Sequence, residues 1–465
     1  MHGSHGLSGP EVSLRRRLPP MRMLRLALAG AALALLLPGC IFTGDLRVES
    51  KPPGAAIVLD GDSTGLVTPQ TFPGLYAGRH VAEVRSAVGF EHSVTLTLLP
   101  AREPTLVSVE FPTVRWKYED DTLTFGNTPA IADDGTVYIV ARGPSRNYLL
   151  AFDSTGQRQW CAPVPGDMVS SPVIGDLGTI YVACDSAIAT FGRDLSQKRT
   201  FTVAEPAFLT GVVLGPGLTF YAAAHRTLYA VSADGGQLWA CPVPDSIVAR
   251  PAVAMDGSIY VLSRAFVNAI TPGGSIKWSC PVATGEAAPG LAIDDSGNVY
   301  CRKAPYFYCI SPEGAVRWKR KYSGTGQNTS PVIGPDRTIY ANMEGRFHAL
   351  NPNGSVAWHR DEPTRSAYGA PCLAADGEIF LGGTGWGWPG GDSDPGLFCI
   401  DATGRLKWTF APPPRRHWYT PAISGSTVFA AEEHVLWAIG ISSTAAVAPW
   451  PMFQRDARHT GRATH

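Results

Sequence analysis

From residue 113 onward, short apolar runs alternate with polar turns, and the pattern recurs about every 40 residues. Each period pairs a Gly-x-hydrophobic-Tyr run with a later run ending in Trp. The Tyr position falls at Tyr138, Tyr181, Tyr221, Tyr260, Tyr300, Tyr340, Phe380 and Phe429. The Trp position falls at Trp116, Trp160, Arg199 (a replacement), Trp239, Trp278, Trp318, Trp358 and Trp408. A fixed period of strand-like units means a solenoid or a propeller. One period reads as strands around Val332-Ile333, Ile339-Tyr340, Phe347-Leu350 and Val356-Trp358, joined by tight turns. Four short strands repeated radially are propeller blades, and the outer Trp is expected to pack between neighbouring blades. The phases do not match at the ends. A Trp strand at Thr113 to Lys117 precedes the first innermost strand, and the last period has no ordinary Trp strand after Leu436 to Ile439. The expectation is an eight-bladed β-propeller over 112–465, with the N-terminal strand completing the last blade and removing its open edge.

Residues 45–111 carry a different pattern. Short alternating strands are separated by Pro-Gly and Asp-Gly turns, which predicts a small β-sandwich. The fold class is therefore all-β. Gly and Pro make up about a fifth of the chain, consistent with many turns and below a disordered composition. Formal net charge is +0. Without a clustered basic face, no nucleic-acid partner is expected.

The N-terminal 39 residues stand apart. Arg22 and Arg25 precede an apolar run from Leu26 to Leu37. Such a run is too short to span a bilayer and suits a signal peptide. It ends in Leu37-Pro38-Gly39-Cys40, which resembles the bacterial lipobox. That resemblance implies cleavage before Cys40, lipid attachment at its thiol and a membrane anchor. Ile41 follows, with no Asp at that place, which favours the outer membrane, on its periplasmic side or surface.

Two further resemblances rest on motifs. The stretch Pro52-Pro53-Gly54-Ala55, with Leu59-Asp60-Gly61, Thr68-Pro69 and Gly78-Arg79-His80, resembles the PEGA domain family. This implies an envelope interaction module. Phrases such as Leu228-Tyr229-Ala230-Val231 with Gly235-Gly236-Gln237-Leu238-Trp239 resemble the PQQ-like, quinoprotein-type propeller repeat, as does the tail from Trp450 to Gly461. Quinone-dependent oxidoreductases of that superfamily use calcium ligands and an adjacent Cys pair, and this sequence has no adjacent Cys pair. The acids sit mostly in turns, where Asp is a hydrogen-bonding turn former. No catalytic triad, zinc spacing or other metal motif is present, so the reading is non-enzymatic, without cofactor or metal. A quinone-dependent oxidoreductase, or a degenerate relative, is the alternative.

The expected role is an interaction scaffold, acting as a monomer on an envelope protein or cell-wall component. The candidate partner surface lies on two long loops that emerge on one face. These carry Trp386 and Trp388 in one, and Arg415, Arg416 and Trp418 in the other. Exposed Trp and Arg are the residue types that anchor interfaces. His80, on a strand after a turn, reads as structural. Cys301 and Cys309 flank one predicted hairpin turn, where a disulfide depends on the register.

Overall fold

The computed structural model describes residues 42–463 apart from 102, 167–169, 186, 203–208, 286–289, 323–328, 344–345, 361–368, 384–394, 415–416, 449 and 457. Among them there is no helix. From Ala130 the chain builds successive antiparallel units of four short strands. One unit is Ala252–Val253, Ile259–Leu262, Phe266–Ile270 and Ile276–Pro281. Its inner strands are buried along nearly their whole length, because neighbouring units cover both faces. Sequence there reads as an unbroken apolar run rather than an alternation. The outermost strands alternate instead, as in Val356–Arg360.

The Tyr or Phe and the Trp of the period meet inside most units. Ring centroids lie 5.7 Å apart for Tyr221–Trp239 and for Tyr260–Trp278, and 6.0 Å apart for Tyr340–Trp358. Trp116, Trp239, Trp278, Trp318 and Trp358 also reach the next unit. Trp239 Nε1 donates to the Pro272 carbonyl at 3.0 Å, Trp278 to Pro312 at 2.7 Å and Trp318 to Pro352 at 2.8 Å. A glycine of that next turn lies flat under the ring. At Gly274 (φ 84°) a Cβ would sit 2.7 Å from the Trp239 ring, closer than any side chain tolerates. Leu195, with φ 56°, stands in the glycine's place after Trp160, and that Trp is left 48 % exposed. Where Arg199 replaces Trp, its Nη1 donates to the Asp234 carbonyl, so the joint is kept by a different group.

The two ends of the array lie together. Thr113–Glu119 pairs antiparallel with Val435–Gly440, with Trp116 opposite Ala438. One buried cluster holds Ile131, Val137 and Phe152 of the first unit beside Phe429, Leu436 and Ala438 of the last. Beyond Gly440 the tail crosses the inner ends of several units. Its carbonyls accept from Ile174, Leu214, Val253, Ile333 and Leu373 N–H groups at 2.7–3.0 Å. Four of these donors belong to two-residue innermost strands and Leu214 ends a six-residue one; their N–H groups would otherwise be buried without partners.

The N-terminal domain is a two-sheet sandwich. One sheet is ordered Gln70–Tyr76, Thr43–Lys51, Thr105–Glu110, the other Asp62–Val67, Ala56–Leu59, Gly78–Arg85, Phe90–Leu98. Leu46, Val48, Ile57, Val84, Leu98 and Val107 fill the space between them. The second sheet does not end at Phe90–Leu98. That strand pairs with Leu406–Phe410, the outer strand of the seventh unit, giving one eight-stranded sheet. The Phe90 ring lies 5.3 Å from Trp408 and 4.4 Å from Phe410. Trp408 is the Trp whose following unit takes its outer strand from the N-terminus, and Phe90 covers it. Phe90→Ala is expected to cost about 3–5 kcal/mol. Limited proteolysis should then cut between the domains, around residues 100–104, while the repeat domain stays protected. Uncut variant protein would refute this joint.

Candidate functional site

Of the residues expected to form a partner surface, Trp386, Trp388, Arg415 and Arg416 lie outside the described residues, as does Cys40. Trp418 does not belong to an exposed surface. It is 1 % exposed, with its ring 5.5 Å from Phe410 and 6.4 Å from Trp437. Its main chain bridges to Glu432, and Glu432 accepts from Trp437 Nε1 at 3.1 Å. The sequence around Trp418 is rich in Pro, Arg and His and reads as solvated. The side chain instead turns inward to fill the joint between the last two units.

The innermost strands of the repeat domain carry a second candidate. Two residues before the position paired with each Tyr or Phe, the units hold Thr128, Ser171, Gly211, Arg250, Gly290, Ser330, Ala370 and Thr420. Seven are small because neighbouring units meet there. Thr128 N–H donates to Ser171 Oγ at 3.2 Å, and Ala370 N–H to Thr420 Oγ1 at 3.1 Å. The exception, Arg250, extends over Gly211, where a Cβ would lie 2.7 Å from its Nε. Its guanidinium sits 5.0 Å from the centre of the Phe453 ring in the tail. Nη1 is closed off from solvent without a hydrogen-bond partner, and burial pushes the group down to about 10. A desolvated cation over an aromatic face ties tail to ring. His459 is fully buried beside this region, with Nδ1 donating to the Pro172 carbonyl at 2.9 Å. Burial, with Arg250 adding to it, holds His459 down to about 3, so it is a neutral structural imidazole. The sequence reading missed Arg250, although its register in the repeat marks it as the one large residue among eight.

In the N-terminal domain His80 is a brace, as its position suggested. Nδ1 pairs with Asp60 at 2.7 Å and Nε2 donates to the Tyr76 carbonyl at 2.8 Å. The Tyr76 carbonyl and then Asp60 raise its pKa, outweighing partial burial. The eight described cysteines are all free. Cys301 pairs with Tyr308 and Cys309 with Tyr300, so the two thiols point to opposite faces and cannot bridge. Burial raises both, and holds Cys184 up to about 11, leaving protonated, unreactive thiols. Among the described residues, no three His, Cys, Asp or Glu side chains are grouped to hold a metal.

Residues 43–114 match the family described as "PEGA domain". The N-terminal sandwich is a PEGA domain. Residues 256–387 match the family described as "Outer membrane protein assembly factor BamB", so the PEGA domain is followed by a BamB-like repeat domain. Among solved structures, BamB from Moraxella catarrhalis aligns at TM-score 0.56 and 11 % identity, over 71 % of this chain and 98 % of that one. The Dos1 propeller aligns at TM-score 0.56 and 9 % identity, over 70 % and 95 %. The C-terminal WD40 domain of Sif2 aligns at TM-score 0.52 and 8 % identity, over 72 % and 99 %. At such identities the likeness establishes a propeller-like fold alone. Among curated proteins none matches.

Proposed function

We propose that this protein is a non-enzymatic scaffold of the bacterial envelope, anchored by lipid at Cys40. Its repeat units form eight blades of a ring, closed where Thr113–Glu119 supplies the outer strand of the last. The observation that carries the reading is the continuous sheet from the PEGA domain into the seventh unit, with Phe90 as its bolt. Two interaction modules welded in this way present a fixed geometry to partners, as a scaffold needs. The repeat match to an outer membrane assembly factor supports an envelope protein as the partner and the outer membrane as the site. Trp386, Trp388, Arg415 and Arg416 are the proposed anchors on the long-loop face.

The test is chemical crosslinking in native membranes, with labelled fatty acid supplied to the cells. Cys40→Ser should abolish the label and release the protein from the membrane. Trp386→Ala and Arg416→Ala should keep the label and lose crosslinked partner. Equal label in Cys40→Ser would end the anchor reading. A bound chromophore with dye-linked dehydrogenase activity, after adding quinone and calcium, would end the non-enzymatic one.

A further inference from the structure

We propose that the end of the PEGA domain farthest from the repeats rests on a lipid bilayer through Phe42, Tyr76 and Leu99. This inference builds on the reading of Cys40 as the anchored residue. The three residues converge through backbone pairing. Ala77 N–H donates to the Phe42 carbonyl at 2.8 Å, and Thr43 pairs with Tyr76. A Cβ on Gly44 would lie 2.6 Å from the Leu99 carbonyl, so the chain segments 42–44 and 98–99 touch. At this one end Phe42 is 51 %, Tyr76 70 % and Leu99 65 % exposed. The His80 bond to the Tyr76 carbonyl fixes that strand end in place.

The direction of the strands then decides what lies beyond. Thr43–Lys51 runs from this tip towards the repeats, where Phe111 N–H donates to the Lys51 carbonyl just before the ring-closing strand. At about 3.3 Å per residue the tip stands roughly 26 Å from that junction. Only Ile41 separates Phe42 from Cys40. Two residues span at most about 7 Å, so a lipid on Cys40 holds the tip at headgroup depth with no tether to move away. Scattered apolar surface residues need no explanation. Three at the point where the chain leaves for its anchor have one available solvent, the interfacial layer, which suits Tyr in particular. Arg79 is exposed at the same end, opposite Thr97, and its charge matches anionic headgroups. The PEGA domain thus stands on the bilayer and holds the ring off it.

The experiment uses the full chain, acylated in cells and reconstituted into phosphatidylethanolamine/phosphatidylglycerol vesicles. Cys161, the exposed thiol among those described, is replaced by Ser. A nitroxide is placed at Tyr76→Cys, at Leu99→Cys or, as a remote control, at Val447→Cys, a site 94 % exposed. Collisional relaxation should report more contact with oxygen than with a water-soluble nickel chelate at positions 76 and 99, and the reverse at 447. Fatty-acid label at Cys40 is read on the same samples. Label present with aqueous spectra at both tip positions overturns this inference and leaves the anchor intact. Label absent removes the anchor reading, and this inference falls with it.

Discussion

Deleting residues 113–119 is expected to abolish cooperative folding of the repeat domain, not merely to trim it. The strand supplies six paired positions to Val435–Gly440. Its Trp116 ring lies 5.9 Å from Phe429 in the last unit and 6.3 Å from Phe152 in the first, and Nε1 donates to the Ser154 carbonyl at 3.0 Å. Gly156 sits under that ring, as Gly274 does under Trp239. Trp→Ala at such a site alone costs about 3–5 kcal/mol. The whole strand adds its backbone ladder and an exposed edge, against a typical total stability of about 5–15 kcal/mol. Urea unfolding followed by Trp fluorescence checks this. A deletion variant with an unchanged midpoint would show that the first and last units do not depend on one another.

A comparably large effect is expected from ending the chain at Gly440. The tail satisfies innermost-strand donors in five different units and buries Trp450, Met452 and His459. Truncation exposes those donors together, so the melting temperature should fall by many degrees, and Trp450→Ala alone should cost about 3–5 kcal/mol of stability. Acid should act through the same segment. His459 is held down to about 3 from its ordinary 6.5. The unfolded chain therefore binds the extra proton first as pH drops. The imidazole's contribution is complete above pH 6.5 and is lost towards pH 3, at about 1.4 kcal/mol per pH unit. A His459→Gln variant should flatten that slope. An equally steep slope would place the acid response elsewhere.

The repeat was legible because one contact generates it. Tyr, Trp and a turn glycine recur at fixed spacing since in most units a Trp meets its own Tyr or Phe and the next unit's Gly, the Trp160–Leu195 joint being an exception. The strand at Trp116 was legible from phase alone. The docking of Phe90–Leu98 on Leu406–Phe410 was not, because edge pairing leaves no periodic mark and Phe90 looks like any sandwich core residue. Trp418 misled because local composition reports the loop, whereas burial depends on the joint between two units. Cys301 and Cys309 turned on strand parity, which a one-residue change of register reverses.

Thr113–Glu119 and its partner strand illustrate a matter of timing. Arg115 in the first bonds Ser426 beside the second across 311 positions of chain. The earlier strand cannot find its place until a segment 311 positions further along has been made. The edge of Phe90–Leu98 likewise waits for the seventh unit. Throughout synthesis of the units between, both strand edges stand open, slow long-range pairing being what such topology imposes. A cell producing this protein must keep those edges apart from other chains, and a lesion that delays the final unit should be met as aggregation before it is met as lost activity.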